Sequence, residues 1–299
     1  MESFPAMPSS KDVSSSIPVG SAWDRAAPGY LEKWVPRFLP YHLDLVEELE
    51  LQEGERALVV AAGPGAEALG VARRVGETGF VRGTDPSPEM VRLATEEARK
   101  GALSSTLKFD VAKASDTEGG PWDAIVCAFG LWQLDDEERA RTLEAWVAAL
   151  KPNGKVGIIT WGPAVPDGPF EKLAASLKEL EPDFRSTSRQ KLAEKAVIET
   201  MLETAGLSLV RFRVVRHTHT FATAEEFVSS LRESCTWRGV WEELGDERIA
   251  RIAAHFYAKV GGPTEPLVAE PPATLIVAGR PGAELRLRDA ASIRVPPLP

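Results

Sequence analysis

Two glycines and one acid carry the first chemical signal in this sequence. Gly63 and Gly65 follow the apolar run Ala57-Leu58-Val59-Val60-Ala61-Ala62 and open a helix-like stretch, Ala66 to Val75. Asp85 ends a second apolar run, Gly79 to Thr84. Strand, glycine turn, helix, strand and acid therefore come in order. Glycine lets a backbone pass close to a ligand, and a helix start presents unpaired N–H groups. An acid at the end of the next strand accepts both hydroxyls of a ribose. The set predicts a grip on an adenosine-containing cofactor.

Other residues invite chemistry with less specificity. His217 and His219 face one side if they share a strand. A His-x-His pair suits a metal, but tetrahedral zinc needs further ligands. Cys235 or His255 would have to reach them, and no spacing requires it, so no metal is expected. A structural pair and a general base are the two remaining readings. Trp132, Trp161 and Trp237 read either as core or as walls of an apolar substrate pocket. Asp135-Asp136-Glu137-Glu138 suits a helix start, where negative charge meets the positive end of the dipole.

The elements that must position these residues alternate. Strands are predicted over 57–62, 79–84, 105–110, 122–128 and 155–161, with helices over 65–75, 87–100 and 136–150 between them. Strands separated by helices pair in parallel through right-handed crossovers. Before them, residues 21–52 read as amphipathic helices broken by Pro28, Pro36 and Pro40, forming an N-terminal lid. After them come helices over 169–181 and 189–205, a long strand over 207–220, helices over 225–237 and 246–259, and a last strand over 273–278. Residues 1–20 read as a disordered tail, 53–281 as the main domain with cap elements at about 162–205 and 222–270, and 282–299 as a second tail.

Composition bounds the function. The 299 residues are 43% hydrophobic and 26% charged, which suits a globular chain with a full core. A net charge of −9 argues against nucleic acid, whose affinity is built from clustered Lys and Arg. No apolar run approaches a membrane span, and the first twenty residues have no signal-peptide core. A cytoplasmic protein with a small-molecule partner, monomeric or homodimeric, is expected.

Five passages in order resemble the class I S-adenosylmethionine-dependent methyltransferases, and among them the group related to ubiquinone/menaquinone-biosynthesis C-methyltransferases. They are Ala22 to Tyr30, Leu58 to Gly65, Gly83 to Met90, Phe109 to Ala112 and Leu150 to Ile158. The resemblance implies an α/β, Rossmann-like, seven-stranded, mostly parallel sheet with the last strand antiparallel, a helical N-terminal lid and a helical cap insert. It implies S-adenosylmethionine as cofactor, with Ala61, Gly63 and Gly65 in the glycine turn and Asp85, Pro86 and Met90 around the ribose. Asp110 and Val111 fall near the adenine, and Ala128 and Phe129 flank the cofactor. Trp23 and Tyr30 belong to the closing helix. They lie near the sulfonium, whose charge attracts an aromatic face, or they simply pack.

Two positions depart from the family pattern. Its strand-1 acid is Val59 here, and its first glycine is Ala61. After strand 4, where many small-molecule methyltransferases carry histidines, the chain reads Phe129-Gly130-Leu131-Trp132-Gln133 and offers no base. The expected function is methyl transfer to a small, partly apolar acceptor, its O, N or C atom open, by proximity and alignment, with His217 or His219 as candidate assistants. Two alternatives stand beside it. Gly63 to Ala68 also fits the G-x-G-x-x-A of an NAD(P)-dependent oxidoreductase. A methyltransferase-like fold that binds cofactor without transferring methyl, or holds a substrate for cyclisation, is the other.

Overall fold

The computed structural model describes residues 19–184 and 192–285. The expected tails fall mostly outside that range, although Val19 and Gly20 already belong to the first helix.

The apolar runs form the strands they predict. β1 (Arg56–Val60), β2 (Phe80–Asp85), β3 (Leu107–Val111), β4 (Trp122–Ala128) and β5 (Leu150–Trp161) pair in parallel. They join β6 (Ser208–Arg216) and β9 (Pro272–Gly279) in one seven-stranded sheet of order β3-β2-β1-β4-β5-β9-β6. β9 runs antiparallel to both its neighbours, as expected of the last strand. A near-continuous run of buried residues fills β1, β2, β4 and β9, because helices cover both faces of the sheet. α3 (Ala66–Val75), α4 (Pro88–Lys100) and α5 (Asp136–Ala149) are the crossovers.

Of the three prolines expected to break the N-terminal helices, Pro36 marks a break, between α1 and α2, and Pro28 and Pro40 do not. α1 (Val19–Lys33) runs through Pro28, and α2 (Val35–Glu48) runs through Pro40. An interior proline costs about 3 kcal/mol. Burial of Phe38, Tyr41, Leu45 and Val46 on α2 offsets that locally. Pro36 sits in the first turn, where its missing N–H is no loss.

The strand expected over 207–220 is also interrupted. β6 ends at Arg216 opposite Pro272, and β7 (His219–Phe221) pairs instead with β8 (Leu267–Ala269) in the same antiparallel register. Pro271 and Pro272 bring no N–H to the ladder. The Tyr41 hydroxyl takes the His217 N–H at 3.1 Å and donates to the Pro271 carbonyl at 2.6 Å. α6 (Pro169–Leu180), α8 (Ala224–Leu231) and α9 (Cys235–Val260) pack together as the cap, whereas α7 (Lys195–Thr204), expected among the cap elements, packs on the sheet face beside α5 and against β6. α9 kinks at Gly245, next to the Asp246 at which a new helix was expected. No helix among the described residues is long and apolar enough to cross a membrane.

Candidate functional site

A cavity of about 660 Å³ opens at the carboxyl ends of β1, β2, β4 and β5. The sheet reverses its winding between β1 and β4, which is where open α/β sheets bind ligands.

Asp85 ends β2 and is buried at the cavity wall. Its Oδ2 accepts the Gly63 N–H and its Oδ1 the Ser87 N–H, both at 2.9 Å. Each oxygen keeps a lone pair for a further donor. Burial pushes the acid up to about 6, against those two backbone bonds, and Asp24 adds to the rise. A bound diol or positive charge pulls it back down. Gly63 has φ +51° with open space where a Cβ would be, so its backbone borders the cavity bare. Ala61 and Phe129 are left-handed too, at φ +53° and +55°. Each costs about 1–2 kcal/mol. The strain bends the chain sharply at the ends of β1 and β4 and brings both residues to the cavity.

α1 closes one side of this cavity. Trp23 Nε1 donates to Gln133 Oε1 at 2.9 Å, tying α1 to the turn after β4. Asp24 Oδ1 accepts from Ser87 Oγ and from the Glu89 N–H, bonding α1 to the start of α4. Arg25 pairs with Glu242 of the cap at 2.9 Å. The Trp23 ring meets Tyr30 edge-on, centroids 5.3 Å apart. Burial and the carboxylates of Glu67 and Asp85 push the Tyr30 phenol well above its usual range. It stays protonated at neutral pH.

Away from Asp85 the walls are aromatic. Phe129 lies 4.7 Å from Trp161 and 5.2 Å from Phe38, and Phe38 lies 5.5 Å from Trp34. Phe170 and Trp237 from the cap complete this side. The acidic and basic lining residues are Asp24, Asp85, Glu138 and Lys113. Among the described residues no group of three or more His, Cys, Asp or Glu is placed to hold a metal ion.

The cavity brings together Trp23, Tyr30, Ala61, Gly63, Asp85, Pro86, Met90, Val111, Ala128, Phe129, Trp132, Trp161 and Trp237. Four expected residues lie elsewhere. Gly65 caps α3 at φ +91°, and a Cβ there would stand 3.0 Å from Phe109, so its role is in packing. Asp110 lies half-exposed and pairs with Arg82 at 2.8 Å, because alternation along β3 turns Val111 to the cavity instead. His217 pairs with Asp44 at 2.7 Å. His219 is buried behind Phe38 and Tyr41, and burial lowers its imidazole to about 4. Neither histidine lines the cavity, which removes the footing for a shared base role. Sequence reasoning missed Asp24, Phe38 and Gln133. Asp24 adjoins Trp23 in the Trp-Asp-Arg of the lid passage, and that neighbourhood was the available signal.

Residues 57–154 match the family model of a methyltransferase domain. Over those residues the chain is similar to the methyltransferase domains that depend on S-adenosylmethionine. The domain is 30% identical over 145 residues to the ubiquinone/menaquinone biosynthesis C-methyltransferase UbiE of Geotalea uraniireducens (strain Rf4), covering 46% of this chain and 60% of that one. The chain thus spans about 60% of the length of the first curated relatives it matches. Among solved structures, the YcgJ protein of Bacillus subtilis superposes with a TM-score of 0.55 at 17% identity, over 81% of this chain and 99% of its own. The [4+2]-cyclase SpnF superposes with a TM-score of 0.59 at 18% identity, over 88% and 95%. At such identities the likeness is one of fold. The methyltransferase domain shares that fold with a cyclase, so the site and not the fold must decide the chemistry.

Proposed function

We propose that this protein transfers a methyl group from S-adenosylmethionine to a small, largely apolar acceptor, quinone-like in kind. One observation carries the reading. A buried carboxylate at the end of β2 faces a bare glycine turn, in a cavity that continues into aromatic walls. That arrangement suits a nucleoside joined to an apolar partner. The UbiE relative is by its name a C-methyltransferase of quinone biosynthesis, and the likeness favours a carbon acceptor.

When bound, the donor would supply a methyl carbon on a sulfonium, to which an electron pair of the acceptor, the π pair of an electron-rich carbon in the reading favoured here, bonds as the carbon–sulfur bond breaks and its electrons stay on sulfur. The chain's part is positioning. Asp85 accepts from the sugar diol, with Pro86, Met90 and Val111 around the adenosine. Ala61, Gly63, Ala128 and Phe129 form the floor. Trp23 and Tyr30 lie near the positive charge, and a ring face turned to it supplies an attraction worth about 0.5–2 kcal/mol. Trp132, Trp161 and Trp237 enclose the acceptor and exclude water. With no histidine at the wall, the rate comes from alignment, and an acceptor proton leaves to solvent.

Calorimetry with S-adenosylhomocysteine and with NADH tests this. S-adenosylhomocysteine is expected to bind, NADH not, and Asp85→Asn to weaken binding by about 10- to 100-fold, the worth of charge-assisted bonds. Binding of NADH instead, or an Asp85→Asn variant with unchanged affinity, overturns the proposal.

A further inference from the structure

The start of α3 buries a second carboxylate, which positioning at Asp85 leaves unused. Glu67 is 3% exposed. It lies beside His42 of α2, and its charge is coupled to Tyr30 on α1, Asp85 on β2 and Cys127 on β4. Those last three line the cavity, so Glu67, four residues past the lining Gly63, lies within electrostatic reach of its wall.

Its relation to His42 is unusual. His42 Nδ1 lies 3.6 Å from Glu67 Oε2, beyond hydrogen-bond length. That buried nitrogen has no hydrogen-bond partner. The Glu67 carboxyl accepts its own backbone N–H, but the His42 nitrogen beside it is left unpaired, which costs stability and asks for a reason. Burial keeps both uncharged at neutral pH: the carboxyl rises to about 8 and the imidazole falls to about 4. Meanwhile Val59 holds the position of the family's strand-1 acid and is itself fully buried. Glu67 is therefore the unspent carboxyl beside the glycine turn.

We infer that Glu67 answers the positive charge of the bound sulfonium donor from outside the cavity lining, and that donor uptake drives its proton into solvent. The step balances as one carboxylic acid becoming one carboxylate and one released proton. The field of the α3 N-terminus already favours the anion, and the donor's charge adds to it. The inference rests on the donor assignment made above.

Titration calorimetry of S-adenosylmethionine at pH 7, in buffers of different ionisation enthalpy, tests it on the wild-type protein. The expected result is close to one proton released per donor bound, fading as the pH rises past 8. Asp85, already ionised at pH 7, contributes little to that release. The isosteric Glu67→Gln variant, checked for an unchanged fold by circular dichroism, is expected to lose the release and at least about tenfold in affinity. A wild type that binds with no buffer dependence overturns the inference, as does a folded Glu67→Gln variant that still releases the proton. Absence of all S-adenosylmethionine binding by the wild type instead removes the donor assignment, and this inference with it.

Discussion

Ala61 shows how a departure from a motif is absorbed. The family glycine at this position is an alanine, yet the chain keeps the left-handed turn at φ +53°. The extra methyl projects toward Gly130. A Cβ built on Gly130 would stand 2.5 Å from the Ala61 Cβ and 3.0 Å from the Cys127 sulfur. The two positions are therefore coupled. Gly130→Ala is expected to cost about 1–3 kcal/mol in urea denaturation. Ala61→Gly in the same chain is expected to recover much of that loss, a coupling a double-mutant cycle reads directly. Additive effects would show that the contact does not matter. At this scale the sequence is legible where the backbone demands a particular residue type. Gly63 and Asp85 announce themselves for that reason. Glu67 and Asp24 do not, because their importance comes from what packs over them.

Among elements, α1 carries the clearest expectation. Polar side-chain bonds hold it: Trp23 to Gln133, Asp24 to Ser87 and Glu89, and Arg25 to Glu242. The Arg25 pair is solvent-exposed and contributes little. The Trp23 bond is part-buried and worth about 1 kcal/mol. Trp23→Phe keeps a ring and loses that bond. It is expected to weaken S-adenosylhomocysteine binding about fivefold by calorimetry, with little change in melting temperature. An equal loss of affinity and stability would make the bond a general fold contact instead. The helix itself was legible from its aromatic spacing, but its continuity through Pro28 was not. Local rules give the cost of an interior proline and cannot see the core that offsets it. The interrupted strand has the same lesson. The single strand expected over 207–220 keeps one register from Arg211 to Phe221, after a bulge between Leu209 and Arg211, while the break comes from Glu270-Pro271-Pro272 on the facing strand and from Tyr41, far away in sequence.

For the whole molecule, buried ionisable groups set a pH dependence with a definite sign. His42 and His219 are held at about 4, below the 6.5 of an unfolded histidine. Below pH 6.5 the unfolded chain takes up protons that the folded one refuses. Stability is then lost as the pH falls through 4. Glu67 works from the other side: its raised value favours unfolding as the pH climbs from 4.5 toward 8. His219→Leu is expected to flatten the acid limb of a urea-midpoint profile between pH 7 and 4, and an unchanged limb would refute the assignment. The alternating architecture was legible at this scale because strand and helix periods switch regularly from residue 56 onward. The small sheet of β7 and β8 was not, since its strands are three residues each, too short to show a period.

The roof of the cavity is a 15-residue helix tied down by side-chain bonds and by the packing of Ala27, Tyr30 and Leu31, while the other walls come from the sheet, its crossover helices, α2 and the cap. For a nucleoside held beneath such a roof, departure would require those contacts to release. Under the proposed methyl transfer, a quick first turnover followed by a slower steady pace is the expected outcome of a pre-steady-state assay, and a linear time course from the first turnover would show that this helix does not set the pace.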